Sequence, residues 1–261
     1  MGHRRYSVGE GGTTGKTAIE IKGLRKDFGE VTAIEHLDLE VAEGELFGLL
    51  GPNGAGKSTA INILCGLLEP TKGTVIVGGH DVRKESKKIK ELIGVCPQEM
   101  GVFPYLTGRE NVEFFGNMSA VPKKELDDRV ERLLEKMSLS EDADRRVKTY
   151  SGGMKRRISL IMALVNEPKI AFLDEPTTGM DPQSRRAVWE FLKGISGDSK
   201  TIILTTHYME EAEYLCDRVG IIDRGRLIAL GRPSDLMREH GVANLEEVFL
   251  KLTGRRIREA A

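Results

Sequence analysis

The sequence predicts an α/β protein: a parallel sheet covered by helices and interrupted by a helical insertion. Three patterns lead there. Strand-like and helix-like segments alternate from Ile170 to Asp223, which favours parallel strands joined by crossover helices. An apolar strand at Glu45–Leu50 runs straight through a Gly-rich turn into a helix at Lys57–Leu68. Between about Gln98 and Asn166, by contrast, helical spacing recurs with no convincing strand.

The elements follow in order. Residues 1–17, with Gly9, Gly11, Gly12 and Gly15 among polar side chains, read as a flexible leader that cannot build a core. Ala18–Lys22 and Leu37–Val41 read as short strands, and Gly73–Val77 as another before the Gly78-Gly79 turn. On the helix after Leu50, Ile61, Leu64, Cys65 and Leu68 share one face. Gly108–Ala120, Lys123–Met137 and Gly152–Asn166 are the inserted helices. Strands at Ile170–Asp174, Lys200–Thr205 and Arg218–Asp223 then alternate with helices at Pro182–Gly194 and Tyr208–Cys216. The tail Leu245–Gly254 reads as an amphipathic helix packing Val248, Phe249 and Leu252 on the core.

Composition narrows the class. The 261 residues carry 39 Lys+Arg and 40 Asp+Glu, a net charge of −1, so no nucleic-acid partner is expected, although a local basic patch is not excluded. Hydrophobic residues at 39% and charged ones at 30% suit a soluble globular chain. No run approaches a membrane span or a signal peptide's apolar region. Cys65, Cys96 and Cys216 form no CxxC pair, which points to reduced, buried thiols and a cytoplasmic setting.

Gly51, Pro52, Asn53, Gly54, Ala55, Gly56, Lys57 and Ser58 satisfy G-x-x-x-x-G-K-[ST], with Thr59 following. Glycines let successive N–H groups turn toward an anion, and the helix start adds positive potential. Lys57 then reaches the β- and γ-phosphates of ATP or GTP, and the Ser58 hydroxyl ligates Mg²⁺. Gly15-Lys16-Thr17 is no such site, since Glu10 occupies the first-glycine position and no apolar strand precedes it. Ile170–Asp174 ends in two acids. Asp174 is suited to holding Mg²⁺ through water, and Glu175 to polarising the water that attacks the γ-phosphate. Taken alone, the pair also reads as solvated acids at a strand end.

Tyr150-Ser151-Gly152-Gly153-Met154, lying between these motifs, resembles the signature of the nucleotide-binding subunits of ATP-binding cassette (ABC) transporters. The resemblance runs over about residues 18–235, with the helical subdomain at about 98–166 and a C-terminal helical tail at 236–261. It implies a P-loop NTPase core, a parallel sheet flanked by helices, and an N-terminal antiparallel β part. It also implies a head-to-tail pair in which Ser151, Gly152 and Gly153 of one copy close on ATP held by the other copy's Gly51–Thr59 loop. By the same resemblance Phe28 stacks on adenine, Gln98 contacts Mg²⁺ and the attacking water, Asp181 touches the partner copy and His207 reaches the γ-phosphate. Phe28 has an alternative reading as core, and Asp181 also suits a helix N-cap ahead of Pro182.

Tyr150 and Met154 depart from the usual Leu and Gln of the signature. With Lys155-Arg156-Arg157 and the tail, they are similar to the drug-resistance and nodulation type of export ATPase. Implied is an Mg²⁺-dependent ATPase that powers a separate integral membrane permease, docked through residues near Phe103–Asn111 and held at the inner face of the cell membrane. Two other readings stand beside it: a soluble ABC-type ATPase of translation or DNA repair, and a scaffold that binds nucleotide without hydrolysing it. Gln98 and Ser151 lie too close for the long coiled-coil insert common in the former, and Glu175, Gln98 and His207 argue against the latter.

Overall fold

The computed structural model describes residues 16–196 and 200–254. Most of the expected leader and the basic run Arg255-Arg256-Ile257-Arg258 lie outside the described residues. The first long strand, β1 (Thr17–Phe28), starts at the last residue of that leader. It hairpins with β2 (Val31–Ala42), and β3 (Leu46–Leu50) leads into α1 (Lys57–Leu64). β4 (Lys72–Val77), β5 (His80–Asp81), α2 (Ser86–Leu92) and β6 (Ile93–Cys96) follow. Then come three helices in succession, α3 (Gly108–Met118), α4 (Lys123–Lys136) and α5 (Gly152–Leu164). The chain alternates through β7 (Ile170–Asp174), α6 (Pro182–Ile195), β8 (Thr201–Thr206), α7 (Met209–Leu215) and β9 (Arg218–Asp223). β10 (Arg226–Gly231), α8 (Pro233–His240) and α9 (Leu245–Thr253) complete it.

One ten-stranded sheet, ordered β5-β4-β1-β2-β10-β9-β3-β8-β7-β6, joins two parts. β9, β3, β8, β7 and β6 pair in parallel, whereas β2, β1, β4 and β5 pair antiparallel. β10 is the seam, antiparallel to β9 and parallel to β2 through Arg226 and His36. The Gly51–Thr59 loop therefore leaves a strand flanked on both sides, as ligand sites in parallel sheets do.

Burial explains why such short strands hold. Leu46 and Leu50, Ala171 and Leu173, and Ile202 and Leu204 enter one core, shared with the helical insertion. Phe47 and Leu49, Ile170 and Phe172, and Ile203 enter the other, shared with α1 and the antiparallel wing. This period of two puts apolar side chains on both faces, and each large one contributes about 1.5–3 kcal/mol by leaving water.

Helix starts follow local chemistry. Thr107 and Glu110 form a reciprocal capping box on α3, and Ser151, Asp181 and Asn244 cap α5, α6 and α9 through their side chains. α4 buries Leu126, Val130, Leu133 and Leu134 at helical spacing. α1 is shorter than its periodicity suggests: it stops at Leu64, and Leu67 faces solvent. In the tail, α9 buries Leu245, Val248 and Phe249, while Leu252 packs half-buried against the same core.

All three cysteines are buried. Burial pushes the Cys65 thiol up to about 12 and the Cys216 thiol well above its ordinary value, so thiolate is scarce at neutral pH. A disulfide-exchange reagent at pH 8 is expected to titrate no thiol in the folded protein and all three in denaturant. Fast reaction of any one in the native state would contradict the packing.

Candidate active site

The loop after β3 is shaped by close approach. A Cβ on Gly51 would stand 2.2 Å from the Ile222 carbonyl oxygen. One on Gly56, the N-cap of α1 at φ 106°, would stand 2.6 Å from that of Ala33. Asn53 and Gly54 face solvent, leaving the loop's outer side open. Lys57 folds back, its Nζ donating to the carbonyl oxygens of Gly51 at 2.8 Å and Pro52 at 3.2 Å. Burial lowers the Lys57 pKa, and the carboxylates of Glu175 and Asp174 only partly offset this.

The ammonium lies 3.6 Å from Glu175 Oε1, and both side chains are almost wholly buried. Glu175 is the meeting point of the site. His207 Nδ1 lies 3.2 Å from Oε1, at ion-pair distance but without hydrogen-bond alignment. Gln98 Nε2 donates to Oε2 at 3.5 Å, and Thr178 Oγ1 donates to the same oxygen at 3.2 Å. Burial raises the Glu175 pKa, yet the neighbouring His207, Lys57 and Thr178 together hold it below the ordinary value, keeping a carboxylate. Its backbone sits in the left-handed region at φ 49°, pinned by the Thr205 carbonyl and hydroxyl, each accepting from Glu175 N–H at 3.1 Å. Thr205 Oγ1 also donates to Asp174 Oδ1.

The remaining candidates occupy other surfaces. Phe28, at the tip of the β1–β2 hairpin, is 46% exposed with Lys26 Nζ 4.8 Å from its ring centroid, which removes the core reading. That hairpin reaches the loop through β2, since Ala33 borders Gly56. Ser151 Oγ accepts from Met154 N–H at 3.2 Å. Gly152 has open space where a Cβ would be, and Gly153 meets only Met180 at 3.9 Å. Among the described residues, no hydrogen bond or ion pair joins Ser151–Gly153 to the Gly51–Thr59 loop. Asp181 Oδ1 accepts from Ser184 N–H at 3.0 Å and the residue remains exposed, so a helix cap coexists with a free surface.

Residues 34–178 match the family described as ABC transporter. The chain belongs to the ABC transporter family. It is 42% identical over 240 residues to the linearmycin resistance ATP-binding protein LnrL of Bacillus subtilis, covering 89% of this chain and 77% of that one. It is 44% identical over 234 residues to the Nod factor export ATP-binding protein I of Rhizobium sp. (strain N33), covering 90% and 77%. A dimeric ATP-binding cassette in a post-hydrolysis state, bound to ADP and Pi, superposes with a TM-score of 0.75 at 27% identity, covering 82% of this chain and 98% of that one. The P-loop NTPase fold and ATPase class read from the sequence hold.

Three features of this ABC ATPase site escape motif reading. Thr205 and Thr178 orient the two acids, but nothing in their spacing marks them. Behind them Glu211, wholly buried, accepts from Thr177 Oγ1 at 2.7 Å and from Trp189 Nε1 at 2.9 Å. Burial raises its pKa above the ordinary carboxylate value. Arg156 sits in the core beneath the signature, and its signal was a charged residue on the apolar face of α5, one helical turn before Leu160.

Proposed function

We propose that the chain is the ATP-hydrolysing motor of an exporter, working with Mg²⁺ as a head-to-tail dimer beneath a separate membrane-spanning permease. The observation that carries this is the convergence of Lys57, His207, Gln98 and Thr178 on one Glu175 carboxylate. In this reading the loop N–H groups and Lys57 hold the β- and γ-phosphates, and Phe28 stacks on adenine. Ser58 and Asp174 offer the hard oxygen donors that suit Mg²⁺. One carboxylate, one hydroxyl and phosphate oxygens are an ordinary set for that ion. Bound there, Mg²⁺ neutralises charge developing on the phosphate oxygens.

Glu175 accepts the proton of the attacking water, and Gln98 and His207 orient water and γ-phosphate around it. The open Ser151–Gly153 surface supplies a second cluster of N–H donors, and its outward aim supports closure on ATP held by another copy. Asp181 at the exposed start of α6 suits the same interface. Contacts made to ATP but not to ADP are what shift the permease between states.

The names of LnrL and the Nod factor protein support export, of a drug-, lipid- or polysaccharide-like molecule. No helix among the described residues is long and apolar enough to cross a membrane. A docking face is offered instead by the helical insertion, where Met100, Phe103, Tyr105, Phe114 and Met118 are all exposed. Phe103 packs edge-on against Phe114 at 5.1 Å, and the buried Asn111 side chain bonds the Phe103 N–H, the Phe103 carbonyl and the Thr107 carbonyl. The same segment follows Gln98, so the permease would feel nucleotide state directly, at the inner face of the cell membrane. Tyr105→Glu with Met118→Glu is expected to abolish co-purification with the permease while the free chain hydrolyses ATP at the wild-type rate. Retained co-purification would remove this face from the interface.

A further inference from the structure

Arg156 lies in the second turn of α5 and is 3% exposed. Its guanidinium has five N–H donors, and five main-chain carbonyl oxygens receive them. Nε donates to Pro176 at 3.1 Å. Nη1 donates to Pro97 at 2.6 Å and Gln98 at 3.0 Å. Nη2 donates to Asp174 and, at 2.6 Å, to Glu175. No carboxylate among the described residues pairs with it. A buried cation is costly to desolvate, and an apolar side chain in its place would leave those five carbonyl oxygens buried without donors. What the planar fork achieves is geometry: it fixes one helix to two separate backbone segments at once.

Those segments carry Gln98 and Glu175. The helix carries Ser151, Gly152 and Gly153 at its start. We propose that Arg156 is a positioning residue that couples the two ATP sites of the dimer, by making the signature helix and its own chain's Gln98 and Glu175 backbone move as one body. The inference rests on the head-to-tail reading. When Ser151–Gly153 docks on the partner's ATP, the guanidinium carries that displacement to the water-activating carboxylate of its own site. Engagement of one nucleotide thus sets the geometry at the other, a coupling between distinct sites through one identified rigid link.

The test uses the full-length chain with Arg156→Gln and Arg156→Lys. Hydrolysis is measured against ATP concentration, alongside nucleotide binding under non-dimerising conditions and thermal melting. Wild type is expected to show a Hill coefficient approaching about two, the number of sites. Arg156→Gln is expected to lower it to about one and turnover by about 10²-fold, with monomer ATP affinity unchanged. Lysine retains the charge but not the five-donor fork, so Arg156→Lys is expected to fold, bind ATP and still lack cooperativity. It carries the test should the glutamine variant not fold. A merely structural role would lower melting temperature and leave the Hill coefficient alone. A folded variant with wild-type cooperativity overturns the coupling role. A wild-type Hill coefficient of one, with no ATP-dependent dimer, overturns the head-to-tail reading instead.

Discussion

Glu175→Gln lowers steady-state ATP hydrolysis by about 10²- to 10⁴-fold, the range for loss of a general base, and leaves ATP binding intact. The amide is nearly isosteric, so Thr178 and Gln98 keep a neighbour of the same shape, and the strained backbone at φ 49° is held by Thr205 as before. What disappears is the negative charge that Lys57 and His207 face, and with it the capacity to accept a proton. Single-turnover hydrolysis and nucleotide binding on the purified variant separate these quantities. Near-wild-type turnover would take the base role away from Glu175. Because ATP stays bound and uncleaved, the variant should also accumulate as a dimer in size-exclusion chromatography.

Ser151→Arg eliminates hydrolysis by a different route. It removes the side-chain cap that Met154 N–H uses and projects a long cation over Gly152 and Gly153, where space is open. Losing donors aimed at transferring phosphate costs about 10²- to 10³-fold each. If, as proposed, those donors serve the opposite copy, the isolated variant should bind ATP as tightly as wild type. Weakened binding by the monomer would mean that the glycines serve their own chain's nucleotide. Mixing Ser151→Arg with Glu175→Gln chains adds a discriminating case: in the mixed dimer one site holds an intact carboxylate facing an intact signature.

The contrast between what sequence revealed and what it hid has a physical pattern. The Gly51–Thr59 loop, the Asp174–Glu175 pair and Ser151–Gly153 are legible because their chemistry is local: a few consecutive residues set both conformation and donors. β3, β7, β8 and β9 are legible because burial on both faces of the parallel sheet leaves a largely apolar run in each. β1 and β2 extend beyond the strands their sequence marks because their pairing register shifts repeatedly. Gly23 at φ 58° lies at such a shift, and a bulge there breaks the alternation that marks a strand. β5, β6 and β10 are short, and β10 is only half-buried, so none carries a strong periodic signal. Thr205 and Arg156 were hidden for another reason: their partners lie 30 and 18–59 positions away, contacts that only the folded sheet creates.

Trp189 is the chain's single tryptophan, and its indole N–H is bonded to the same Glu211 oxygen that Thr177 uses, two residues past Glu175. The protein therefore carries a built-in fluorophore wired to the segment between Glu175 and Asp181. Its emission can be followed during turnover without dye or label, from an indole bonded directly behind the site.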